Sequence, residues 1–180
     1  MTTRVSLLRG INVGGNKKIK MAELKALYES LGFTDVKTLL QSGNVVFKGA
    51  NADTDPIGQQ IEASIRKQFG FESKIIMRSA DEWRMVVARH PFSAEQLAEP
   101  GKILVTFLQS EPDDESLATL QATHNGPEVI HSSGQELYIF YPEGMGRSKL
   151  DNGFIERKLG CVATGRNWNT VNKILGLCSG

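Results

Sequence analysis

The residues of this chain best suited to chemistry gather in two glycine-rich basic segments. The first reads Arg9-Gly10-Ile11-Asn12-Val13-Gly14-Gly15-Asn16-Lys17-Lys18-Ile19-Lys20. Its glycines and asparagines accept backbone conformations that other residues resist. Its cations, with free backbone N–H groups and the start of a following helix, favour negative charge. The second reads Gly144-Met145-Gly146-Arg147-Ser148-Lys149 and is followed, before the last helix, by Arg166-Asn167-Trp168-Asn169. The chemistry these types support is electrostatic: holding a phosphate or a carboxylate. The alternative for the first segment is a long turn with Gly14-Gly15 at its bend.

Established phosphate motifs do not fit. Gly10 and Gly15 have P-loop spacing, but Asn16 and Lys17 follow, and Lys18 stands where a magnesium-binding hydroxyl is needed. The dinucleotide pattern fails on the interval from Gly10 to Gly14. His90, His124 and His131 are isolated and lack metal-ligand spacing. No G-x-S-x-G elbow is present, and Cys161 and Cys178 have no evident base partner. Asp81-Glu82 and Asp113-Asp114 fall in helix first turns, where capping accounts for them. Nucleophilic and metal catalysis therefore have little support, and no cofactor is assigned.

Composition narrows the class further. The chain has 180 residues, 40% hydrophobic and 23% charged, as expected of a globular protein with its own core. No apolar run approaches the roughly 20 residues that cross a bilayer. The N-terminus lacks the pattern of a secretory signal, and the cysteines form no C-x-x-C pair. A cytoplasmic protein with two reduced thiols, without membrane contact, is expected. Net charge is +1 but unevenly placed. Residues 1–20 carry five cations and no acid; residues 144–173 carry six cations and two acids; the remainder balances at −8. This pattern indicates a local field rather than a uniformly basic nucleic-acid binder. Arg4, Arg157 and Lys158 read as ordinary solvated cations.

Secondary-structure signals place these segments. Arg4–Arg9 reads as a buried strand. Met21, Leu24, Leu27, Tyr28 and Leu31 recur at helical spacing, with no N-cap residue directly before them. Val36–Leu40 and Val45–Phe47 read as strands around the turn Gln41-Ser42-Gly43-Asn44, expected beside the first basic loop. Asp55-Pro56 is expected to start a helix whose stripe is Ile57, Ile61, Ile65 and Phe69. Ser73–Arg78 is a strand, and Ser79-Ala80-Asp81-Glu82 a capping box. Ser93–Gly101 reads as a polar connection. Lys102–Leu108 is a strand, Pro112–Glu115 begins a helix, and Val129–His131 with Glu136–Tyr141 forms a hairpin. Helices at about 151–159 and 168–177 close the chain. The element order is β-α-β-β-α-β, then β-α-β-β-α-α. The class is α+β: two ferredoxin-like, split βαβ halves, the second with two C-terminal helices. The expected division is 1–90, a linker at 91–101, and 102–180.

Four motifs together resemble a known bacterial family. They are Leu7–Gly15, Leu40–Phe47, Gly146–Leu150 and Arg166–Val171, in order along nearly the whole chain. The family is the one catalogued as domain of unknown function 1697. The resemblance implies a compact cytoplasmic α+β protein with ferredoxin-like halves. It implies no established activity, so no catalytic residue is carried over.

The candidate ligand-binding set is Arg9, Asn12, Gly14, Gly15, Asn16, Lys17, Lys18, Ser42, Asn44, Arg147, Ser148, Lys149, Arg166, Asn167, Trp168 and Asn169. Trp168 can cover an apolar ligand face or stack on a base, but a core anchor is its commoner role. The expected function is binding of a small anionic ligand in a basic glycine-rich cleft between the halves. The alternative is a binding module for nucleic acid or an acidic protein, disfavoured by the absence of an aromatic run for stacking.

Overall fold

The computed structural model describes residues 1–180. The chain forms two four-stranded antiparallel sheets with helices. The first contains β1 (Thr2–Leu8), β2 (Thr34–Leu39), β3 (Asn44–Gly49) and β4 (Ile75–Ser79), in the spatial order β2-β3-β1-β4. Helices α1 (Met21–Ser30) and α2 (Thr54–Phe69) make the crossovers. This is the split βαβ topology expected from the sequence. Then follow α3 (Ala80–Ala88), a short α4 (Ala94–Leu97) and a 3-10 turn at Pro100–Lys102.

The second sheet contains β5 (Ile103–Leu108), β6 (Val129–Ser133), β7 (Glu136–Phe140) and β8 (Ala163–Asn167), in the order β6-β7-β5-β8. Its helices are α5 (Asp114–Thr123), α6 (Asn152–Leu159) and the closing α7 (Trp168–Cys178). The expected order for this half lacked β8. Ala163-Thr164-Gly165-Arg166-Asn167 has no apolar alternation, so its strand character comes from pairing with β5, Val105 opposite Arg166 and Phe107 opposite Thr164.

Two compact units result: Met1–Met85 with Lys173–Gly180, and Val86–Asn172. The stretch 91–101 belongs to the second. It holds α4, capped by a Ser93–Gln96 capping box.

Each unit has its own core. In the first, Leu24, Leu27 and Tyr28 of α1 and Ile57, Ile61 and Ile65 of α2 pack with Val45 and Phe47. In the second, Leu108, Leu137 and Ile139 meet Leu120, Ile155 and Leu159. Fully burying one such side chain contributes about 1.5–3 kcal/mol, so a row of them sets each helix on its sheet.

The structure departs from the sequence expectation at the start of α2 and at Arg4. Helix α2 begins at Thr54, with Asp53 at the N-cap position and Pro56 inside the first turn. The missing N–H of Pro56 has no intrahelical partner to lose there, so the helix begins two residues earlier than the proline suggests. Arg4 is not a solvated cation: it is 2% exposed. Its Nη2 donates to the Ala52 carbonyl at 2.6 Å. No helix is long and apolar enough to cross a membrane.

Candidate functional site

The first basic segment folds as a small hairpin on the first sheet. Gly14 and Gly15 have φ of 58° and 77°, and the Asn16 N–H donates to the Val13 carbonyl at 3.0 Å. Two successive positive φ values suit the tight turn that glycine pairs make. Asn12 fixes the base of the hairpin. Its Nδ2 donates to the Ile19 carbonyl (3.0 Å) and the Gln41 carbonyl (2.7 Å), and its Oδ1 accepts from the Ile19 N–H (2.9 Å). The Gln41–Asn44 turn therefore lies beside the loop, as expected. Within it, Asn44 is buried, and its Nδ2 donates to the Leu39 carbonyl and to Ser42 Oγ.

The cations of this loop divide. Lys17 Nζ donates to the Glu72 carbonyl at 2.8 Å. The Arg9 backbone is tied on both sides: its N–H donates to the Lys74 carbonyl and its carbonyl accepts from Ser73 Oγ. Lys18 lines a hollow with Asn12, Gly15 and Lys20 at the start of α1. That helix has no side-chain cap, as its sequence indicates.

The second basic segment lines a cavity of roughly 400 Å³ within the second unit. Gly144, Arg147, Ser148 and Lys149 face the turn that leaves α5, which supplies His124, Pro127 and Glu128. Leu150 and Phe154 add an apolar wall. Ser148 pins the loop: its hydroxyl donates to Glu128 Oε1, and its Oγ accepts from the Leu150 N–H at 3.1 Å. His124 Nε2 lies 3.2 Å from Glu128 Oε2, with the two side chains only 10% and 6% exposed.

His124 and Glu128 were not among the candidates, and His124 is not isolated as the sequence suggested. The turn Asn125-Gly126-Pro127 folds the chain back so that residues four apart meet beyond the end of α5. Three consecutive turn formers between a histidine and a glutamate were the available signal.

The remaining candidates lie around the start of α7. Arg166 on β8 is buried, its Nη1 donating to Thr164 Oγ1 and the Gly165 carbonyl, both at 2.9 Å. Burial pushes its guanidinium down to about 10. Asn167 Oδ1 accepts from the Asn169 N–H at 2.8 Å, which occupies one of the helix's orphan donors. Trp168 is buried edge-on against His90 and Phe92, at 5.3 and 5.6 Å between ring centres. This is the packing expected of a core anchor.

A family model described as "Protein of unknown function (DUF1697)" matches residues 1–138. Among solved structures, the chain resembles a conserved bacterial protein from Streptococcus pneumoniae, with a TM-score of 0.79 and 23% sequence identity. The likeness covers 100% of this chain and 99% of that one, and at this identity it speaks for the fold alone. No curated protein matches.

Proposed function

We propose that this chain, which belongs to the DUF1697 family of unknown function, binds a small anionic ligand in the cavity of its second unit. The observation that carries the reading is the convergence of Arg147 and Lys149, two exposed cations on a pinned loop, on one side of a partly apolar hollow. An exposed ion pair alone contributes about 0–1 kcal/mol. Beside Pro127, Leu150 and Phe154, a ligand also removes apolar surface from water, at roughly 25 cal/mol per Å². A ligand with an acidic group and an apolar body uses both terms.

The test is a thermal-shift screen over nucleotides, sugar phosphates and organic acids, followed by calorimetry on the hits. Arg147→Ala and Lys149→Ala are each expected to weaken binding by about three- to fivefold, the equivalent of roughly 0.6–1 kcal/mol. Arg66→Ala, on an exposed pair with Glu72 in the first unit, serves as the control and leaves binding unchanged. Normal folding with wild-type affinity for every hit in both cavity variants would remove the proposal. Affinity should fall only shallowly with salt. A steep fall would favour the nucleic-acid reading, because each phosphate contact releases counterions.

A further inference from the structure

We infer that His124 supplies a hydrogen-bond acceptor to this cavity, whose lining also includes the Glu143 carboxylate, so that the ligand carries a hydroxyl donor as well as its acidic group. The inference rests on the anion reading above and narrows it to hydroxyl-bearing carboxylates and phosphates with an apolar body.

His124 Nε2 stands 3.3 Å from the Glu128 carbonyl and 3.2 Å from Glu128 Oε2. A carbonyl only accepts, and an ionised carboxylate only accepts. A ring nitrogen facing both must carry the hydrogen. In the neutral ring the lone pair is then on Nδ1.

The carboxylate is committed to this arrangement. Its Oε1 receives the Ser148 hydroxyl. Its Oε2 is sealed from water and has no aligned hydrogen-bond donor, so the imidazole edge is the polar group that approaches it. Gly126 fixes the seat. A Cβ built on Gly126 would overlap the Glu128 carboxylate and come within 2.9 Å of His124 Cε1. Backbone thus packs directly against the pair, and a side chain at 126 would push it apart.

Nδ1 is left for something outside the chain. It has no hydrogen-bond partner within the protein and is not among the sealed-off polar atoms. His124 lines the same cavity as Arg147 and Lys149. When the ring is neutral, a ligand whose acidic group meets those cations has the His124 nitrogen available as an acceptor for its hydroxyl. Sites built to hydrogen-bond a substrate hydroxyl discriminate against analogues that lack it.

The test has two arms on the full chain. Long-range ¹H–¹⁵N spectra at pH 8 should show His124 as the Nε2–H form with an unprotonated Nδ1. Mandelate and phenylacetate share a ring and a carboxylate and differ by one hydroxyl. Mandelate should bind about tenfold tighter and shift the Nδ1 resonance, while phenylacetate leaves it in place. His124→Phe should erase the preference without abolishing binding of either acid. Should that variant not fold, the wild-type spectra and the wild-type affinity ratio decide alone. An Nδ1–H form, or equal binding of the two acids, would overturn the inference and leave the anion reading standing. If neither acid binds the wild type, the narrowing to hydroxyl-bearing acids with an apolar body falls, and the anion reading is judged by the wider screen. If both bind and Arg147→Ala weakens them equally, the anion reading holds, and the ratio between them judges the role of His124.

Discussion

At the scale of single residues, the first basic loop shows how an apparent binding motif can be structural at its base and open at its tip. Asn12 combines three side-chain hydrogen bonds with a φ of 54°, a region that costs most residues about 1–2 kcal/mol. Asn12→Ala removes the bonds and retains the unfavourable φ. Asn12→Gly removes the same bonds but tolerates the backbone. We expect Asn12→Ala to destabilise by about 2–4 kcal/mol and Asn12→Gly by about 1 kcal/mol less, since a net hydrogen bond is typically worth about 0.5–1.5 kcal/mol. Denaturant unfolding of the two variants measures this, and equal losses would show that the positive φ carries no strain. The sequence marked Asn12 as notable but not its job. Its partner Gln41 is 29 residues away, and only the docking of the Gln41–Asn44 turn brings that carbonyl within reach.

At the scale of elements, legibility followed local chemistry. The Ser79–Glu82 capping box forms as read, with the Ser79 N–H donating to Glu82 Oε2 at 2.6 Å and the Glu82 N–H to Ser79 Oγ at 3.1 Å. Asp113 likewise caps α5, its Oδ1 accepting the Ser116 N–H at 2.6 Å. Those groups need only neighbours within four residues, so the chain order alone specifies them. Strand β8 needed β5, about sixty residues earlier in the chain, and was missed. The Asp113 cap has a pH signature. The backbone hydrogen bond from Ser116 holds its carboxyl below the ordinary 3.8. The folded state therefore binds its proton less readily than the unfolded chain. The cap's contribution is complete above the unfolded value of about 3.9 and is lost as pH falls through the lower folded value. Asp113→Asn, which retains an acceptor oxygen, should remove this acid-side slope while preserving the helix. Thermal unfolding from pH 5 down to pH 2.5 reads it, and an unchanged slope in the variant would assign the acid sensitivity to other carboxylates.

At the scale of the whole molecule, the chain repeats a plan that its residues conceal. In the first sheet Val5 pairs with Arg78, Leu7 with Asn44, and Leu8 with Ile75. In the second, Val105 pairs with Arg166, Phe107 with Glu136, and Leu108 with Ala163. Shared register places a buried arginine at the same point of each last strand, just ahead of a helix. The sequence showed the common element order but no residue-level repeat, because register is set by pairing across strands far apart in the chain. The repeat also exposes where the halves differ. Ser6 and Thr106 occupy matching positions, each one residue past the valine that faces the arginine. Ser6 Oγ shares a buried 2.6 Å hydrogen bond with the Tyr28 hydroxyl. Thr106 Oγ1 is buried without a partner. A buried hydroxyl that lacks a partner costs roughly 1–3 kcal/mol, and valine reproduces the threonine shape without it. Thr106→Val should accordingly raise stability by about 1 kcal/mol. Ser6→Ala, which orphans the Tyr28 hydroxyl, should lower it by about 1–3 kcal/mol. Paired urea titrations of the two variants decide the matter. Destabilisation by Thr106→Val would mean that the hydroxyl is satisfied in solution.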